Sequence, residues 1–154
     1  MPARTRLTLD SNVLVYAVDR QAGRKHELAR ELVGRAALAD CVLTLQALCE
    51  FFVVATRKGK ATPSAAAAFV DDFEEVFPVV TADAHALAEA MAAHEEHRIG
   101  FRDAMLWATA RRAGCGILVT EDLQDGRQLG GVRFRNPFGD ALPADLEAAL
   151  EGTS

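Results

Sequence analysis

Residues 7–17 read LTLDSNVLVYA. An apolar run is cut by Asp10, and an apolar pattern then resumes. The run has the composition of a short buried strand, and the junction that follows is where such a strand hands over to a helix. An aspartate at that junction has two uses. It can cap the helix by accepting from the next backbone amides, or it can join other acids at the strand end and hold a cation. The rest of the chain decides between them.

The 154 residues suit a single domain, half of them hydrophobic and a quarter charged, which is ordinary globular composition. No apolar run approaches the roughly 20 residues that a membrane helix needs. The opening MPARTRLTLD lacks the apolar core and small-residue cleavage site of a signal peptide. Cys41, Cys49 and Cys115 are an odd number without a CxxC pair, which suits reduced thiols of a cytoplasmic protein, buried as small hydrophobes. The net charge is −5, yet Asp140, Asp145, Glu147 and Glu151 follow Gly139 with no basic residue among them, so residues 1–138 are close to neutral. Of the 17 bases, 14 are Arg, whose planar fork suits phosphate. Charge alone neither demands nor excludes a nucleic acid.

Strands are predicted at Arg6–Leu9, Cys41–Leu43, Pro78–Val80 and Ile117–Thr120, with a late edge strand at Val132–Phe134. Helical patterns lie between them. Lys25–Leu38 has Leu28, Leu32 and Ala36 at helical spacing, and Gln46–Arg57 follows. A helix opens at Thr62-Pro63, where Thr caps and Pro suits the first turn. Others run from after Thr81 to about Glu96, and from Arg102 to Ala113, where Gly114 and Gly116 stop it. Such alternation implies an α/β fold with a mostly parallel sheet covered by helices on both faces. Residues 139–154 form an acidic C-terminal tail of the same domain, a short helix with a frayed end.

In an open parallel sheet, ligands bind beyond the carboxyl ends of the strands. Asp10 and Asp122 fall at such ends, Asp103 in the first turn of a helix, and Glu50 inside the apolar ALCEFFVVA. Each has an ordinary reading. Asp103 offsets a helix dipole, Asp122 suits a turn, and Glu50 shares a polar stripe with Gln46 and Arg57 that can face water. Together they are four acids on one sheet edge without a Lys or His close in sequence. Crowded carboxylates repel one another, and a hard divalent cation such as Mg²⁺ or Mn²⁺ relieves that. Other chemistries fit less well. His94 and His97 in HEEH are one residue too close for the HExxH zinc pattern, and no GxSxG, GxGxxG or P-loop is present.

With these residues in place, the chain resembles a PIN-domain protein, and within that group a VapC-type toxin of a bacterial type II toxin–antitoxin module. The matching pieces are LTLDSNVLVYA with Asp10, QALCEFFVV with Glu50, GFRDAMLWATARRAGCGILVT with Asp103, TEDLQDG with Asp122, and the late GVRFRNPF. They span about residues 6–138. Ser11 stands where the family commonly has Thr, and keeps the hydroxyl. The resemblance implies a three-layer PIN-like fold, a homodimer, and a metal-dependent endoribonuclease held inactive by a cognate antitoxin. Asp10, Glu50, Asp103 and Asp122 would be both the catalytic acids and the ligands of Mg²⁺ or Mn²⁺, with Ser11, Asn12 and Thr120 in support. Arg98, Arg102, Arg111 and Arg112 would grip the RNA backbone or lie on an ordinary solvated face. Two other readings use the same fold: a non-catalytic RNA- or protein-binding scaffold, expected to lack one or more of the acids, and a structure-selective DNA nuclease, for which the chain offers no evident arch or added DNA-binding segment.

Overall fold

The computed structural model describes residues 4–57 and 59–151. Strand β1 (Arg6–Leu9) leads directly into helix α1 (Ser11–Val18), a single 3₁₀ turn (Arg20–Ala22) and α2 (Arg24–Ala36). Then come β2 (Cys41–Thr44), α3 (Leu45–Arg57), α4 (Pro63–Val76), β3 (Val79–Val80), α5 (Ala84–His97) and α6 (Phe101–Arg112). The chain ends with β4 (Cys115–Val119), β5 (Gln128–Leu129), β6 (Val132–Arg135) and α7 (Ala144–Leu150).

Local chemistry sets the boundaries. Thr62 caps α4 by accepting from Ala65 N, with Pro63 at the first position, and Asp83 caps α5 by accepting from Ala86 N. Thr44 does the same for α3, its Oγ accepting from Ala47 N at 3.0 Å. At the far end of α5, Arg98 takes the left-handed conformation (φ 56°), so HEEH closes a helix. Gly114 turns the chain from α6 into β4 at φ 82°, a backbone angle that suits glycine.

The six strands run in the order β3-β2-β1-β4-β6-β5, parallel except for β5. The strand predicted at the edge, β6, instead lies inside it, because Gly130 and Gly131 (φ 54° and 81°) fold Gln128–Leu129 back as a hairpin. Side chains alternate across the sheet. Leu7, Leu9, Leu43, Ile117 and Val119 pack with Phe51, Phe73 and the inner faces of α1–α4, and α7 adds Leu146 and Leu150 to the same cluster. Leu118, Val132 and Phe134 pack on the other face with Ala90 of α5 and Leu106 and Trp107 of α6. The result is the expected helix–sheet–helix sandwich. The tail is tied down as well, with α7 bridged by Arg35–Glu147 and Arg135–Asp145. The expected frayed end falls at residues 152–154, outside the described residues. Among the described residues no helix is long and apolar enough to cross a membrane.

This order fixes where a ligand can sit. From β1 the chain winds outward to β2 and β3, then returns to β4 on β1's other side. The direction of winding reverses between β1 and β4, which opens a crevice at their carboxyl ends.

Candidate active site

Asp10 lies at that crevice, directly after β1. Its backbone N–H still donates to Val119 of β4 (2.9 Å), so the residue is seated by the sheet. Its carboxylate is wholly buried. Oδ1 accepts from Ser11 N at 2.6 Å, which caps α1. Oδ2 accepts from the Thr120 hydroxyl at 2.8 Å. Asp10 thus caps a helix and also belongs to an acid cluster.

Glu50 reaches the crevice from α3. That helix buries Ala47, Leu48, Phe51 and Ala55, and its polar stripe faces the crevice. Gln46, one turn earlier, donates to Glu50 Oε1 (3.2 Å), and Ser11 Oγ donates to Oε2 (3.1 Å). Asp103 enters from the first turn of α6. Burial pushes its carboxyl above the ordinary range; Arg102 pulls it down, and the charges of Asp10 and Asp122 push it up again. Asp122 is more exposed and joins through Asn12, whose amide donates to Asp122 Oδ2 (3.2 Å), to Thr120 Oγ (3.3 Å) and, at the limit of a hydrogen bond, to Asp10 Oδ2 (3.5 Å). Thr120 Oγ also accepts from Asp122 N at 3.1 Å. Next to Asp122, Glu121 accepts from Tyr16 (2.6 Å) and Lys25 (2.8 Å), which ties the loop after β4 to α1 and α2.

The four acids come together, and Arg102 comes with them. Its guanidinium donates to Asp10 Oδ1 (2.6 Å), to Asp103 Oδ1 (2.6 Å) and to both oxygens of Glu50, from Nε at 2.9 and 2.8 Å and from Nη2 in a shorter contact to Oε2. Burial works to lower the Arg102 pKa, but the hydrogen bonds and charges of Asp10 and Glu50 outweigh it and raise the pKa overall. Among sequence neighbours only Lys and His were weighed as neutralising bases; Arg102, the residue beside Asp103, was not considered, and it fills that place.

Beside the cluster opens a cavity of about 550 Å³, walled by Val15, Val53 and Val54 and carrying Arg57 and Lys60 at its rim.

Among the described residues no three His, Cys, Asp or Glu side chains stand around a common point as ready ion ligands. The Arg102 fork lies between them instead. The donor set itself is all oxygen: four carboxylates, two hydroxyls, and the Asn12 carboxamide oxygen, which is buried without a partner. Four formal negative charges meet one positive charge. That chemistry fits a hard divalent cation once the guanidinium is withdrawn.

Comparison with known proteins accords with this geometry. The PIN-domain family profile matches residues 7–124, most of the chain and all four acids. The chain belongs to the PIN-domain family. Among solved structures, a toxin–antitoxin complex from Klebsiella pneumoniae aligns at 20% identity and TM-score 0.63, covering 86% of this chain and 98% of that one. DNA-bound VapBC from Salmonella typhimurium gives 20% and 0.61 over 85% and 97%. The sarcin-ricin-loop-cleaving toxin VapC20 of Mycobacterium tuberculosis gives 17% and 0.61 over 73% and 86%. At such identities the likeness is one of fold. A search of curated protein sequences finds no match.

The structure also places side chains that the sequence left open or misjudged in this PIN domain. Arg111 and Arg112 lie at the far end of α6, about 13–15 Å of helix rise from Arg102, where Arg111 pairs with Glu89 and Arg112 with Asp83 and Glu89. They are not at the site. Cys41 and Cys115 are buried, and burial pushes the Cys115 thiol up to about 12. Cys49, expected inside, is exposed in the cavity wall. The Tyr16–Lys25–Glu121 tie went unforeseen, since its members are far apart in sequence and each is unremarkable alone.

Proposed function

We propose that this PIN domain is a metal-dependent endoribonuclease, the toxin of a type II toxin–antitoxin pair, working as a homodimer in the cytoplasm. The observation that carries the reading is the convergence of Asp10, Glu50, Asp103 and Asp122 on one crevice at the sheet's reversal point, beside a cavity with Arg57 and Lys60 at its rim. The solved toxins and VapBC complexes of similar fold support the toxin class and an antitoxin partner.

In this reading the four acids hold Mg²⁺ or Mn²⁺. Such an ion supplies a water of lowered pKa and offsets charge developing on a scissile phosphate. The chain's own residues do the positioning. Ser11 and Thr120 fix the two oxygens of Asp10, Gln46 and Ser11 aim Glu50, and Asn12 couples Asp122 to Asp10. Arg57 and Lys60 meet the RNA backbone, and the valine wall leaves room for a base.

The test is cleavage of an end-labelled RNA pool by the purified full chain, with the same sequences as single-stranded DNA alongside. Cutting of RNA is expected with Mg²⁺ or Mn²⁺, with none in EDTA and none from a folded Asp10→Asn variant. Full activity in EDTA, or an undiminished Asp10→Asn, refutes the metal site. Preference for the DNA refutes the substrate class.

A further inference from the structure

Arg102 makes more contacts with the acid cluster than an RNA-gripping side chain would need. Its fork engages Asp10, Glu50 and Asp103 together, and Nη2 also donates to Ser11 Oγ at 3.1 Å. The oxygens it holds are those a cation would take. A planar guanidinium is well suited to this, since it can fork across several carboxylates where an ammonium acts as a point charge.

We propose that Arg102 is a built-in competitor for the ion: its guanidinium and a divalent cation occupy the same carboxylate oxygens in turn, and the ion binds only when Arg102 swings out. This rests on the metal-site reading above and adds to it a gate on ion affinity set by the chain itself.

Two features make the exchange a movement of one side chain. Asp10 and Glu50 do not depend on Arg102 alone for their placement. Asp10 keeps Ser11 N and Thr120, while Glu50 keeps Gln46 and Ser11. The Arg102 backbone is anchored separately, its carbonyl accepting from Gln46 Nε2 at 3.0 Å. There is also somewhere to go. The Arg102 side chain is 38% exposed and lines the 550 Å³ cavity, so the guanidinium can leave into solvent without disturbing the core.

The consequence is a fixed reduction in apparent ion affinity. When only the arginine-out state accepts the ion, the apparent Kd exceeds the intrinsic one by the inverse of that state's population. A minor state of roughly 1–10% gives about a 10- to 100-fold weakening.

The experiment is a Mn²⁺ titration followed by EPR on the metal-free full chain, with wild type, Arg102→Gln, Arg102→Lys and Asp10→Asn, each checked for fold by circular dichroism. Arg102→Gln should bind Mn²⁺ at least about tenfold tighter than wild type, roughly 1.4 kcal/mol. Arg102→Lys should fall between them, and Asp10→Asn should bind weakly. The second measurement is read on wild type and does not require Arg102→Gln. The Arg102 Nε–H resonance, assigned by its loss in Arg102→Lys, should be dispersed and slow to exchange without metal. Saturating Mg²⁺ should move it to the position and exchange rate of exposed arginines. Equal or weaker Mn²⁺ binding by a folded Arg102→Gln overturns the competition while leaving the metal site standing. If Arg102→Gln does not fold, an Arg102 resonance unmoved by saturating Mg²⁺ overturns it instead. Absence of Mn²⁺ binding in wild type and all variants removes the metal site, and the inference with it.

Discussion

Replacing Thr120 with Val tests the site's architecture without any assumption about substrate. Thr120 is 1% exposed and its hydroxyl holds three partners: it donates to Asp10 Oδ2 (2.8 Å) and accepts from Asn12 Nδ2 (3.3 Å) and Asp122 N (3.1 Å). Valine keeps the shape and removes all three. A hydrogen bond to a charged group contributes about 1.5–3 kcal/mol, and here its loss leaves a buried carboxylate oxygen short of a donor. The two accepted bonds add less, about 0.5–1 kcal/mol together, because Asn12 retains other acceptors and the Asp122 amide can turn to water. The sum is about 2–4 kcal/mol. For a chain of this size each kcal/mol moves the melting temperature by about 2–4 °C, so Thr120→Val should melt roughly 4–16 °C below wild type in EDTA. Thr120→Ser, which keeps the hydroxyl, should lose much less. Circular dichroism melts of the three proteins decide it. A Val variant as stable as wild type, or a Ser variant that falls as far as Val, would show that the hydroxyl is not the hub of this site.

Further outcomes follow from other parts of the molecule. Gly130→Ala must adopt φ 54° and place its methyl 2.9 Å from Trp107 Cζ2, so urea melts should show a loss of about 2–4 kcal/mol. Gly131→Ala, with nothing within 4 Å of the new carbon, should lose only the backbone part, about 1–2 kcal/mol. Phe51→Ala empties a fully buried site that meets Phe73 and Phe69 edge to face and should cost about 3–5 kcal/mol, while the exposed Phe52→Ala should cost under about 1 kcal/mol. With a thiol reagent at neutral pH, Cys49 should react at once, and Cys41 and Cys115 only after denaturation, since burial raises both thiols. The Arg35 bond holds Glu147 below its ordinary 4.5. Its stabilising effect is therefore present above pH 4.5 and lost as pH falls through the lower folded value. Hydrogen exchange should show α7 loosening on acidification before the rest of the fold does, and Glu147→Gln should remove that difference.

Much of this was readable in the residues because local chemistry agreed with tertiary need. Thr62-Pro63 opened α4, Gly114 closed α6, and apolar runs ending in Asp10 and Thr120 gave the central strands. Asp10, Asp103 and Asp122 were legible for the same reason, since they occupy strand and helix ends that the alternation of elements places on one edge, while Glu50, inside α3, stood out as an acid in an apolar run. What escaped depended on cross-chain distances. Arg102 could be placed one residue from Asp103, but its bond to Asp10, 92 positions away, exists only because α6 starts at the crevice where β1 ends. The β5–β6 hairpin was signalled by Gly130-Gly131, yet a two-residue strand carries no periodicity to detect. Cys49 was misjudged because an apolar neighbourhood in sequence does not tell which side of α3 the cavity occupies.

The pairing of β1 with β4 also sets the order in which the protein can mature. Asp10 and Thr120 are 110 positions apart and join adjacent strands at the centre of the sheet. Closing so long a loop is entropically slow, and such non-local pairings form late. While the chain is being made, β1 can meet β2, but neither Thr120 nor Asp122 yet exists to finish the crevice. A nascent chain therefore carries Asp10 for most of its synthesis without a working set of partners. Completion of the acid cluster therefore waits on β4 taking its place beside β1.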